Sequence, residues 1–321
     1  MGEPIVPFDF SRLTREKLAD RGGKVSVRDF AKPVRGDATF EDWWASLPRI
    51  LAGRELRELV EAIVAARTVG RPVHLAMGGH VVKVGLGPVL ADLIERQVIT
   101  AVSVNGAFLI HDFEVAAVGF TSEDVDATLG SGRFGVSEAT GQAFADIVDR
   151  AAEATTGLGN AAAEFLATND LPHADASVLA ACHRAGVPVT IHVAVGTDVV
   201  HLHPALHAAR LGTALMHDFG VFTTLVSRLG GGVFVNIGSA VLMPEVFLKA
   251  LTAVRNTGTA VEDMTCANLD FIRHYRPLTN VVTRPVAQSG RGINLVGHHE
   301  IMVPLIAAAV IRQLWSPAED E

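Results

Sequence analysis

Cysteine is almost absent from this chain. Cys182 and Cys266 are its two thiols, and neither lies in a spacing that fixes a zinc site or a disulfide framework, so both read as small core residues in a reducing compartment. Charge is sparse as well, at 19% Asp, Glu, Lys and Arg together, and its formal balance is −8. That sign gives no electrostatic footprint for nucleic acid or an anionic membrane, and neither is expected as a partner. Long apolar runs are missing too: the most hydrophobic stretch, Ile301 to Leu314, is too short to span a bilayer and carries Arg312. Met1-Gly2-Glu3-Pro4 lacks the basic-then-apolar layout of a secretory signal, so a soluble cytoplasmic protein is expected.

Several catalytic signatures are missing. Gly85-Leu86-Gly87 sits too far from its strand to be a dinucleotide fingerprint, and there is no phosphate loop of the lysine-serine type. Ser239 follows Gly238 without a nucleophile elbow, which argues against a serine hydrolase. The 13 histidines contain no His-Glu-x-x-His. A zinc site needs three or four donors converging in space. His201-Leu202-His203, read as two imidazoles on one strand face, the His111/Glu114 pair and His298-His299-Glu300 do not fix one locally, so no metal is assigned.

What is present is an alternation of strands and helices. Hydrophobic residues make up 49% of 321, enough for a sizeable α/β core. The central stretch is Gly186 to Asn256. Val187 to Val195 and Val233 to Ile237 are β-branched runs that stop at Gly196-Thr197-Asp198 and Gly238-Ser239-Ala240. Such runs are what strands buried on both faces of a parallel sheet look like. Earlier strands are expected at Pro72–Met77, ending in Gly78-Gly79-His80, and at Val98–Val104, ending in Asn105-Gly106. Later ones are expected at Val261–Phe271, Thr279–Val286 and Ile293–Val296. Helices are expected at Arg54–Arg67, Gly87–Gln97, Phe108–Val118, Ser177–Ala185, Pro204–Leu211, Phe219–Leu229 and Pro244–Arg255, with a closing one after Glu300.

The fold class is therefore α/β, a parallel Rossmann-like sheet with helices on both faces. Residues 1–50 read as an arm and short helix in which Phe8, Phe10 and Phe30 need cover. Residues 51–315 read as one domain with a helical insertion at about 122–169, a lid or subunit contact, and 316–321 as a disordered tail. Small-residue loops at strand ends let a ligand approach bare backbone. Carboxylates there, Asp198 and the Asp112/Glu114 pair, suit ribose hydroxyls or a cationic substrate, or else cap helices. Arg273, Arg276, Arg284 and Arg291 suit a carboxylate or phosphate, or else subunit salt bridges.

The order of glycine-ended strands resembles deoxyhypusine synthase and its relatives, including homospermidine synthases, from roughly Pro72 to Leu314. Gly78-Gly79-His80 stands where that family has its first NAD-contacting loop, Asn105-Gly106-Ala107 where it has Thr-Ala-Gly-Gly. Pro188 to Asp198 is similar to its Pro-Val-x-x-Pro-Ala-Leu-Thr-Asp-Gly segment, and Gly238-Ser239-Ala240-Val241 to its Leu-Gly-Gly-Gly-Val loop. His298-His299-Glu300 falls near its Asp-Ala-Ser loop.

The resemblance implies NAD held by Gly78, Gly79, His80, Asn105, Gly106, Gly196, Thr197, Asp198, Gly238 and Ser239, and a homo-oligomer, a tetramer. One residue is missing. The family's lysine forms an imine with the aminobutyl group of spermidine, and its place falls at Met243 aligned on the strand end, or at Val235 aligned on Gly230-Gly231-Gly232. Neither can form an imine. The expectation is hydride chemistry on a small polar or anionic substrate without a lysine adduct. His192, His201, His298, His299 and Glu300 are candidates for proton transfer, and Asp112, Glu114, Arg276, Arg284 and Arg291 for the substrate. A metal-dependent hydrolase or lyase and a non-catalytic NAD-binding protein are the competing readings.

Overall fold

The computed structural model describes residues 3–315, so the tail expected at 316–321 lies outside the described residues. The chain divides into two units, Met1–Arg54 and Glu55–Glu321. In the first, single 3-10 turns at Phe10–Arg12, Leu18–Asp20 and Val27–Asp29 precede helix α1 (Phe40–Ser46). A capping box starts α1: the Thr39 hydroxyl accepts from the Asp42 N–H, and the Asp42 carboxylate accepts from the Thr39 N–H. Phe8, Phe10 and Phe30 are exposed in the single chain.

The second unit is built on a parallel sheet. Helix α2 (Leu51–Thr68) leads into β1 (Val73–Met77), α3 (His80–Lys83), α4 (Gly87–Glu95), β2 (Ala101–Asn105) and α5 (Gly106–Val118). The insertion contributes α6 (Val125–Leu129), α7 (Glu138–Glu153) and α8 (Leu158–Thr168). Then come α9 (Val178–Ala185), β3 (Val189–His192), α10 (Ala208–Ser227), β4 (Val233–Ile237), α11 (Leu242–Asn256), β5 (Thr265–Asp270), a short turn α12 (Tyr275–Pro277), β6 (Arg291–Val296) and α13 (His299–Trp315).

The strand order is β3-β2-β1-β4-β5-β6, with every pairing parallel. Side chains alternate between faces. Val73, Leu75, Val235, Ile237 and Leu269 pack with α2, α4 and α13, whereas Ala76, Phe234 and Cys266 pack with Phe222 and Val226 of α10 and Phe247 of α11. That second face also carries one polar row, Thr190, Ser103, Ala76, Asn236, Asn268 and Asn294, aligned across all the strands.

Four expected features differ. The run Thr279–Val286 is not a strand but part of a π-helical turn, Leu278–Thr283. Burial at Pro277, Asn280, Val281 and Pro285 follows a helical spacing that the β-branched residues mask. The two helices read at Pro204–Leu211 and Phe219–Leu229 are the single helix α10, which runs through Gly212 and Gly220 because buried Leu211, Phe222 and Val226 hold one continuous face. His201 and His203 do not share a strand face, because Val199–Leu202 forms a 3-10 turn. The strand read to Val195 ends at His192, and a turn with Gly196 at φ 85° follows it.

A buried carboxylate ties the insertion to the sheet. Asp218 of α10 accepts, on one oxygen, the backbone N–H groups of Gly159 in α8 at 2.9 Å and Ile191 in β3 at 2.8 Å. Burial pushes its carboxyl up to about 7, although both N–H groups favour the anion. A raised carboxyl pKa stabilises the fold fully below the unfolded value and loses that contribution as pH climbs through the folded one. Asp218→Asn keeps an acceptor for both N–H groups and removes the ionisation. Its thermal midpoint should gain on the native chain between pH 5 and pH 8, by on the order of 2–4 kcal/mol in stability. An equal gap at both pH values would refute the assignment.

Candidate functional site

The polar row brings the strand ends into line, so the loops after β1 and β4 meet. The Gly78 N–H donates to the Ile237 carbonyl at 3.0 Å. A Cβ on Gly78 would collide with the Gly238 carbonyl, so glycine is required where these backbones touch. Gly79 is nearly as confined: its Cβ would stand 3.0 Å from the Ala107 carbonyl carbon and from Cδ2 of His111. Gly238 has φ 64° and lies against His299, whose Cε1 would be 2.8 Å from an added Cβ.

Around this junction stands an imidazole cluster. Nδ1 of His80 is 3.0 Å from Nδ1 of His299. Phe271 lies against both rings, at centroid distances of 5.3 and 5.8 Å, and stacks on His298 at 6.2 Å. His299 is fully buried and Nε2 lies 3.3 Å from the Leu269 carbonyl. Burial, ahead of the opposing pull of that carbonyl and of Asp270, lowers its pKa. Glu300 is 3.8 Å from exposed His298 on the rim. The structure thus brings His80, Gly78, Gly79, Gly238, His298, His299 and Glu300 together.

A cavity of about 550 Å³ opens over the ends of β2 and β3. Its wall includes Lys83, His111, Glu114, Asp198 and His203, with Phe134 and Val136 from the insertion. Asp198 lies against Gly106, where any side chain would strike its carboxylate. Burial raises the Asp198 pKa against the nearby His201 and His111. Glu114 accepts from the hydroxyls of Thr121 and Thr140, the latter at 3.2 Å, and lies 3.7 Å from His111. These hydrogen bonds hold its pKa low in spite of burial. Nδ1–H of His201 donates to the Asp198 carbonyl at 2.8 Å, and its Nε2 is buried without a partner.

The side chains of the other candidates are already engaged within the fold. The side chains of Asn105 and Ser239 cap α5 and α11, accepting from the N–H groups of Phe108 at 3.0 Å and Met243 at 3.1 Å. The Thr197 hydroxyl closes its own turn on the Ala194 carbonyl. Asp112 is a buried cap of α9: it accepts from the Ser177 hydroxyl and the Val178 and Leu179 N–H groups, and burial raises its pKa to about 6. His192 is at the far end of the sheet, packed on Phe222, where burial lowers its pKa to about 4. Arg276 lies beside Glu245, which also accepts from Asn280, and Arg284 donates to Asn280. Arg291 pairs with Glu58. None of the three arginines lines the cavity.

Two residues of the cavity wall, Lys83 and Thr140, are not among the candidates read from the sequence. The signal for Lys83 was its distance from the Gly78-Gly79 loop, one helical turn on, which turns it toward the ligand end of the sheet. Thr140 carries no local signal. Among the described residues no group of three His, Cys, Asp or Glu side chains is placed to hold a metal ion, and no helix is long and apolar enough to cross a membrane.

The contact at the junction makes Gly78→Ala a sharp test. Backbone must move at Gly78 or Gly238, so the variant should lose roughly 2 kcal/mol or more of stability. The same change at Gly85, whose added Cβ meets nothing but whose φ is 79°, should cost only about 1 kcal/mol. Equal melting shifts for the two variants would refute the close approach.

No protein-family model and no curated protein matches the sequence. Solved structures do. Unliganded AgrE is 17% identical over 83% of this chain, with a TM-score of 0.53, and AgrE has also been solved in a ternary complex with ornithine and NAD+. This chain spans about a third, 34%, of the length of AgrE. A conserved protein assigned as LOR/SDH from Methanococcus maripaludis S2 is 15% identical, covering 94% of this chain and 76% of that one, with a TM-score of 0.50. A protein assigned as a deoxyhypusine synthase from Entamoeba histolytica is 10% identical over 86% of this chain and 94% of its own, at a looser TM-score of 0.43. The chain thus has the α/β fold of AgrE and the LOR/SDH protein.

Proposed function

We propose that this chain is an NAD-dependent enzyme carrying out hydride chemistry on a small polar substrate without a lysine imine. The observation that carries the reading is the junction of the β1 and β4 loops. Strand order reverses there, since the chain moves outward from β1 to β3 and then returns to β4 on the other side. In doubly wound sheets a dinucleotide lies across such a switch point at the carboxyl ends of the strands. The donor set fits one. Asp198 and Glu114 are acceptors for ribose hydroxyls, Lys83 offers a charge to a phosphate, and Ile110, Phe134 and Val199 give a ring an apolar wall. The NAD complex of AgrE, a protein of the same fold, supports the same cofactor.

Bound NAD supplies a hydride acceptor. The chain's own part is to exclude water with the insertion, to orient the cofactor at the Gly78-Gly79 and Gly238-Ser239 loops, and to accept a proton at the imidazole cluster formed by His80, His298 and His299. No lysine stands where the resembling family forms its imine: Met243 is buried at the start of α11, Val235 lies within β4, Lys249 is paired with Glu245, and Lys83 in the cavity wall is assigned to a phosphate in this reading. The arginines counted toward an anionic substrate stand in surface pairs, so the polar description is the one retained. Exposed Val241, Ile272, Tyr275, Val296 and Ile301 beside the junction suit burial in a homo-oligomer, a cytoplasmic tetramer in this reading.

Titration calorimetry with NAD+ and NADH should give saturable binding, and Asp198→Asn should weaken it roughly ten- to hundredfold, as loss of a charged acceptor does. Because burial raises the Asp198 carboxyl, native affinity should begin to fall on acidification before exposed carboxylates titrate. No binding of either form to the native chain would end the proposal. Light scattering should return a tetramer mass; a monomer at working concentration would remove the assembly.

A further inference from the structure

The His80–His299 contact decides which nitrogen of each ring carries hydrogen. Nε2 of His299 faces the Leu269 carbonyl at 3.3 Å, and a carbonyl can only accept, so that nitrogen is the donor. Burial lowers the His299 pKa and so favours its neutral form, in which Nδ1 carries a lone pair. The nitrogen 3.0 Å away, Nδ1 of His80, must then donate. A neutral imidazole has one N–H, so Nε2 of His80 is bare. No hydrogen bond reaches that atom among the described residues, and it is not among the buried polar atoms that lack a partner, so it is not sealed inside the protein. Phe271 flanks both rings.

We infer that Nε2 of His80 is the atom that takes and returns the substrate's proton, and that His299 is a positioning residue which holds His80 in the Nδ1–H form. The inference rests on the hydride reading above. Were NAD bound to take a hydride from the substrate's carbon, the accompanying proton would leave the substrate's oxygen or nitrogen for Nε2 of His80. The substrate loses two hydrogens and two electrons in total, and its C–O or C–N bond becomes double. His80 finishes as an imidazolium, still donating through Nδ1 to His299, and the reverse reaction returns the proton. The other titratable groups near the pair are His298, Glu300, Asp270 and His274, the last two 3.9 Å apart. His298 and Glu300 are therefore rim residues in this scheme.

The test is the tautomer itself. In full-length protein labelled with 15N at histidine, long-range proton–nitrogen correlation at neutral pH should show His299 as Nε2–H and His80 as Nδ1–H, the minor form of a free imidazole. His299→Ala should turn His80 over to the Nε2–H form. His299→Gln, whose amide can accept from His80 and donate to the Leu269 carbonyl, should retain Nδ1–H. Added NAD+ should shift the Nε2 resonance of His80 and leave that of exposed His207 in place. His80 found as Nε2–H in the native chain overturns the inference, with no variant needed. So does an Nδ1–H form that survives His299→Ala. Failure to bind NAD with the tautomers as expected would instead remove the hydride reading and leave the pair's geometry standing.

Discussion

The alignment of six strand ends depends on one polar row. Thr190, Ser103, Asn236, Asn268 and Asn294 stand level across the sheet, interrupted only by Ala76. Ser103 and Thr190 share a hydrogen bond of 2.6 Å, Asn236 donates to Asn268 at 2.8 Å, and Asn268 to Asn294 at 3.0 Å. Because side chains alternate in a strand, a slip of one residue would turn these groups onto the aliphatic face under α2, α4 and α13 and leave them without partners. Aliphatic residues alone would tolerate such a slip. The row therefore acts as a register pin, and two residues beyond it in β1 and β4 stand Gly78 and Gly238. Their close approach follows from the pin.

The polar side chains near the strand ends then divide by what they are already bonded to. Asn105, Asp112 and Ser239 are consumed in helix caps, and Asp218 in joining α8 to β3. These satisfy backbone N–H groups that would otherwise be orphaned where helices begin inside the protein. They fix where α5, α9 and α11 start. Asp198, Lys83, His80 and His298 are not committed to caps, and they face the cavity or the junction.

Much of the fold was legible because its signals are local. Gly186 at φ 65° ends α9, and the runs at Val73–Met77 and Val233–Ile237 are strands close to the bounds their turn residues suggest. Where the reading went astray, two local signals competed. Thr279-Asn280-Val281-Val282-Thr283 has strand chemistry, but its buried residues recur at helical spacing, and packing against β5 and β6 decided the matter. Two helices were read on either side of Gly212, yet a long buried face carries one helix through it. The site was legible only in part. Glycine loops announce themselves by composition, whereas the use of Asp112 as a cap or the pairing of Arg291 with Glu58 depends on contacts between residues far apart in the chain. His80 was read as a backbone-loop residue because its partner lies more than two hundred positions away.

The short helix α3 joins the two halves of the site. It begins at His80, in the imidazole pair, and ends at Lys83, in the cavity wall. A single turn separates them, so a displacement of the α3 backbone would carry both side chains and shift His80 against buried His299. Gly79 keeps α3 pressed against Ala107 and His111, so such a displacement would also be felt at the start of α5, where Asp198 rests on Gly106. In the proposed reading, a ligand that moved this turn on entering the cavity would thereby act on the imidazole pair at the junction.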